Sequence, residues 1–135
     1  MNTDKSIVLK AFNKVFFEFL DDIITIYPEN VEMMTAKDSA TTFKKLNPTS
    51  IIKVWYSSIY CQYRGQIDSG NIDFFTDKDY SSDLSDISDM KAVLNMIENV
   101  RDPIRNMSAE NKKHVTKYIQ DLSKLSTAYA ALMSA

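Results

Sequence analysis

The sequence is poor in the residues that most site chemistry and most tight turns require: its 135 residues include one His, one Cys, two Gly and three Pro. A single cysteine closes no internal disulfide, which excludes a small disulfide-stapled scaffold, and the first residues lack the charged, apolar and small-residue pattern of a secretory leader. A reducing compartment is the expectation. One imidazole and one thiol cannot complete a Cys/His zinc site, and two glycines cannot build a glycine-rich phosphate cradle. No metal or cofactor is expected. Average glycine usage is near ~7%, so this chain also has few positions for the positive-φ turns of β-hairpins. No apolar run approaches the ~20 residues of a membrane span. One helical domain over residues 1–135 follows, large enough to bury about two-thirds of its unfolded surface.

What is present is helical periodicity. Val8, Phe12, Val15, Phe16, Phe19, Ile23 and Ile26 recur at steps of three and four, which predicts a helix from Asp4 to about Tyr27, ended by Pro28. Its charges oppose the helix dipole, with Lys5, Lys10 and Lys14 early and Glu18, Asp21 and Asp22 late, so packing must hold it. A second helix is expected from Glu29 to Leu46 on Val31, Met33, Met34, Ala36, Ala40 and Phe43. Asn47-Pro48 reads as the next start, Asn at the N-cap and Pro at the first helical position. Ile51, Ile52, Trp55, Ile59, Tyr63 and Ile67 then line a buried face to about Ser69. Gly70 can supply the left-handed residue that ends it, and Gly65 offers an earlier stop. Further on, Val93, Leu94, Ile97 and Val100 mark a helix interrupted at Pro103. Ser108 caps a last one carrying Val115, Tyr118, Ile119, Leu122, Leu125, Tyr129 and Leu132. The expected architecture is all-α, a compact bundle of about five helices.

The formal net charge of -2 conceals a segregation. Residues 68–89 hold seven aspartates and one lysine, a local charge of -6, which leaves +4 on the other 113 residues. An acidic loop is expected at about 70–88, with aromatics interleaved among its acids. These aromatics can simply pin a long connection to the core. Equally, Phe74, Phe75 and Tyr80 with Asp77, Asp79 and Asp83 form an apolar anchor ringed by carboxylates, a candidate surface for a basic partner. Asp77-Lys-Asp79-Tyr-Ser81-Ser82 also begins like a calcium loop. It then departs from one: Ser82 stands where the sharp turn needs Gly, and Ser88 where a bidentate Glu is needed.

Catalytic constellations are not suggested. Cys61 and His114 fall on different predicted helices without a motif that presents either, and cysteine packs readily as a small apolar residue. Trp55 and the phenylalanines of the first helix sit at core spacing. Residues 101–124 carry a modest basic surplus, with Arg101, Arg105, Lys112, Lys113 and Lys117 as a candidate basic face. A solvated helix side explains it as well, and a sequence pI near 5.3 lacks the footprint of a dedicated nucleic-acid binder.

Four strings carry a resemblance: Leu20-Asp-Asp-Ile23, Asn47-Pro48 followed by Ile51-Ile-Lys-Val-Trp55, Ile67-Asp-Ser-Gly-Asn-Ile-Asp-Phe-Phe75, and Lys78-Asp-Tyr-Ser-Ser-Asp-Leu84. Together they resemble an uncharacterised family of small helical proteins encoded by large double-stranded DNA viruses of algae and their giant-virus relatives. The likeness spans residues 12–84, and Asn71 departs from a Gly-Asp pattern there. It implies no enzymatic activity and no functional residues. What it implies is context: a viral product in the virion or the infected host cell interior, such as a small virion component working by protein–protein contact with other viral proteins or with its own copies. The alternative is an accessory factor of infection that binds nucleic acid or the transcription machinery through its basic last helices.

Overall fold

The computed structural model describes residues 2–71, 99–100 and 103–134. All regular structure among them is helical. Helix α1 (Asn2–Ile26) is followed by α2 (Val31–Leu46), a short α3 (Ser50–Val54), a π-helical turn (Trp55–Tyr60) and α4 (Cys61–Ser69). Residues 103–105 form one helical turn, and α5 (Ala109–Ser134) closes the described chain. No helix among the described residues is long and apolar enough to cross a membrane.

The most extensive packing is between α1 and α5. Phe12, Phe16, Phe19, Leu20 and Ile23 of α1 and Val115, Ile119, Leu122 and Tyr129 of α5 are buried there, as the apolar spacing of both helices predicts. The α2 helix lies against α1 and α3 and buries Met33, Ala36 and Ala40. Two alanines one turn apart allow the close approach. Val31 and Met34, expected on the same apolar face, are instead 72% and 51% exposed. They sit on the first turn of α2, beyond the reach of the core. Phe12 and Phe16 meet the Trp55 ring edge-on at 6.4 and 6.3 Å. The indole Nε1–H donates to Ser123 Oγ at 3.0 Å, so the largest core side chain leaves no polar atom stranded.

Local signals decide the element ends. Helix α2 starts two residues later than expected because Asn30, in extended conformation, accepts the Met33 N–H at 3.0 Å, a side-chain N-cap. The Asn47-Pro48 start is also corrected. Asn47 is the C-cap of α2, donating its N–H to Phe43 O, while its Oδ1 accepts from the N–H and hydroxyl of Thr49. A turn closed by Ser50 N–H to Asn47 O follows, and α3 begins at Ser50. The asparagine therefore organises a turn between two helices, the other common use of its side chain. Gly70, and not Gly65, ends α4: its φ is 82°, with Gly70 N–H on Ile67 O and Asn71 N–H on Gln66 O. That pair of bonds is a Schellman motif. At the other end of the fold, Ser108 caps α5 as expected, accepting the Asn111 N–H at 3.2 Å.

The single helix expected from residue 50 to 69 is broken by its own spacing. Ile51, Trp55, Ile59, Tyr63 and Ile67 recur at steps of four, and in an α-helix each such step rotates the stripe by about 40°. One wider turn takes up this drift. The Cys61 N–H bonds to Tyr56 O, five residues back, and Tyr63 adopts a non-helical φ of -128° and ψ of 26°. Trp55, Ile59 and Ile67 thereby all reach the core.

Candidate functional site

The residues expected to carry function divide sharply. Phe74, Phe75, Asp77, Asp79, Tyr80 and Asp83 lie outside the described residues, as do the acidic loop after Asn71 and Arg101. Of the basic face, Arg105 is exposed beside the turn at 103–105, and Lys112 is half-buried in the first turn of α5. Lys113 and Lys117 are exposed one turn apart and continue to Lys124, so three ammonium groups mark one solvent side of α5. Cys61, expected to pack as a small apolar residue, is only half-buried. His114 is exposed on α5, roughly 120° around the helix from the Gln120 side that meets α4. Among the described residues no three His, Cys, Asp or Glu side chains cluster as metal ligands.

Two features were not singled out in the sequence. The first is the corner where α1 turns into α2. Ile26, Val31 and Met34 are exposed around it, and Ile26, Tyr27, Pro28, Glu29 and Asn30 line a 300 Å³ hollow. Glu29 and Glu32 are exposed beside these apolar groups, which makes an apolar anchor with an acidic rim. Glu32 is also favourable where it stands, in the first turn of α2. The Lys37–Asp21 pair at 2.7 Å bridges α2 to α1 one turn further in. Both of its partners are about half exposed, so it contributes little to stability.

The second is a recess of 440 Å³ between the π turn, α4 and α5, lined by Tyr60, Asp68, Gln120, Ser123, Lys124 and Thr127. Its walls are fixed by hydrogen bonds. Gln120 Nε2 donates to Ile67 O at 3.0 Å, occupying one of the carbonyls that the end of α4 leaves open. Thr127 Oγ1 and Ser126 Oγ both donate to Ser123 O. Tyr60 Oη lies 3.3 and 3.4 Å from the two Asp68 oxygens. Burial, reinforced by the Asp68 charge, pushes the Tyr60 phenol above its ordinary value, so it stays a protonated donor. Arg64 stands over the Tyr60 ring at 5.9 Å, and the Tyr56 ring lies 6.3 Å from it. Tyr56 is raised as well, chiefly by its hydrogen bond with Cys61. The sequence did hold a signal for this recess. Gln120, Ser123, Lys124 and Thr127 form a polar stripe at steps of three and four directly beside the apolar stripe of α5.

The geometry defines a small helical-bundle protein with two surface features and a basic helix side. No family model, curated protein or solved structure matches the chain.

Proposed function

We propose that this chain is a non-enzymatic protein acting by protein–protein contact, as a small virion component of the minor capsid or internal structural kind. The observation that carries the contact reading is the acid-rimmed apolar corner: Val31 and Met34 are large, exposed and adjacent, with Glu29 and Glu32 beside them. An apolar centre inside a charged rim is the anatomy of a contact hot spot that receives a basic partner. The Lys113, Lys117 and Lys124 side of α5 supplies the complementary sign, so other viral proteins or further copies of this chain fit as partners. Head-to-tail contact of unlike surfaces builds open or closed assemblies. Support for the virion setting, and for the infected host cell interior as the place of synthesis, comes from the resemblance of the four sequence strings.

The test has two parts. Sedimentation velocity at low salt is expected to show association that Val31→Asp with Met34→Asp abolishes; a monomer at all concentrations and unchanged capture of viral proteins by the variant would sink the corner as a contact. Mass spectrometry of purified virions is expected to find the protein, and its absence would end the structural role.

A second reading, an accessory factor binding nucleic acid or the transcription machinery, is favoured by the same three aligned lysines of α5. Neutralised phosphates give binding that weakens steeply with salt. Fluorescence anisotropy with DNA and RNA duplexes at low salt decides it, because a flat titration removes this reading.

A further inference from the structure

The recess between the π turn, α4 and α5 holds a cation and a carboxylate that do not reach each other: Asp68 and Lys124 both line it, and no salt bridge joins them. Asp68 instead leans on the Tyr60 hydroxyl. Between the two charged groups stands Ser123, which is 1% exposed. Its oxygen accepts the Trp55 indole N–H, which turns the hydroxyl hydrogen away from Trp55 and leaves it as a donor. Gln120, held through its Nε2, keeps its Oε1 as an acceptor. A single small recess thus offers an anion acceptor at one side, a cation at the other and neutral donor and acceptor groups between them.

We propose that this recess binds a free α-amino acid. Its carboxylate is taken by the Lys124 ammonium and the Ser123 hydroxyl, and its ammonium by the Asp68 carboxylate with the Gln120 oxygen alongside. Opposite charges held apart on one wall favour a ligand that carries both signs a few bonds apart, since each half satisfies one of them with a charge-assisted hydrogen bond. A simple anion meets Lys124 but faces Asp68, and a simple amine meets Asp68 but faces Lys124. The volume of 440 Å³ admits a small amino acid and excludes a long peptide from full burial. The site is independent of the acid-rimmed corner, so each proposal can fail alone.

Ligand-observed NMR with L-alanine, propionate and ethylamine separates the possibilities, with the full-length chain at low salt. L-alanine is expected to bind with a dissociation constant on the order of 1 mM, in keeping with so few ligand atoms. Propionate and ethylamine, each lacking one charge, are expected to bind at least about tenfold more weakly. Asp68→Asn and Lys124→Met are exposed positions that leave the core intact, and each is expected to weaken alanine by a similar factor. Amide resonances of Gln120 and Thr127 should move on titration, whereas His114 should not. Equal binding of propionate and alanine would overturn the proposal in favour of a plain anion site. Alanine binding that survives both substitutions, or no shift at Gln120 up to about 50 mM ligand, would also overturn it.

Discussion

Trp55 joins three elements through one side chain: its ring meets Phe12 and Phe16 on α1, its backbone belongs to the π turn, and its indole N–H reaches Ser123 on α5. Ser123→Ala removes that acceptor from a buried donor, and the expected cost is about 1–2 kcal/mol. Urea unfolding followed by the fluorescence of this single tryptophan measures it directly. Tyr118 makes a different cross-link. Its ring packs 5.4 Å from Phe19 and its hydroxyl donates to Asp22 on α1. Burial, then the hydrogen bond and charge of Asp22, raise this phenol well above its ordinary value of 10.0. A group whose pKa is raised by folding stabilises while it is protonated in both states. The contribution is therefore complete below about pH 10 and is lost as pH rises through the folded-state value. Thermal melts should be flat in this respect from neutral pH to about 9 and then fall. In Tyr118→Phe the alkaline fall should be shallower, although the Tyr56 and Tyr60 phenols, also raised, keep part of it.

Helix ends separate what was legible in the sequence from what was not. The long apolar stripes of α1 and α5 could be read directly, because many residues vote for one period. The Gly70 and Ser108 ends were legible for the same kind of reason, each residue being suited to one backbone role. Asn47 was misread because asparagine serves an N-cap and a turn equally well, and the choice depends on where Phe43 O is left by the preceding helix. The π turn was not read at all, although the strict step of four from Ile51 to Ile67 carries the mismatch that demands it. The two glycines give opposite predictions. Gly70→Ala forces a side chain into φ 82° and should cost about 1 kcal/mol. Gly65 has nothing within 4 Å of an added Cβ, so Gly65→Ala should be neutral or stabilising by up to about 1 kcal/mol. Asn30→Ala deletes the α2 cap and should cost about 1 kcal/mol. Paired thermal melts of the three variants give the order Gly65→Ala above wild type, and the other two below it.

At the scale of the whole molecule, charge arrangement carries more information than the net value of -2. Composition could locate the basic residues of the last helix, but only the fold shows that Lys113, Lys117 and Lys124 share an exposed side. It could not locate the acid-rimmed corner, since Val31 and Met34 obey the helical period and differ from Met33 and Ala36 only in what lies opposite. Reversing Lys113 and Lys117 to Glu should leave the melting temperature within about 2 °C, as exposed charges contribute little to folding. It should abolish any association that sedimentation detects at low salt. Added salt should mimic the double variant, because exposed charges are screened over roughly 10 Å at 0.1 M. The π turn has a consequence for the history of the chain. A turn spanning five residues instead of four holds one residue more than an α-helix needs, so loss of one codon, that for Ser57, would let α3 and α4 fuse into a regular rod. Everything after it would rotate by about 100°, carrying Tyr60, Asp68 and the Gly70 stop away from α5. A shortened homologue lacking that one residue should therefore keep its α1–α5 pairing and have no recess.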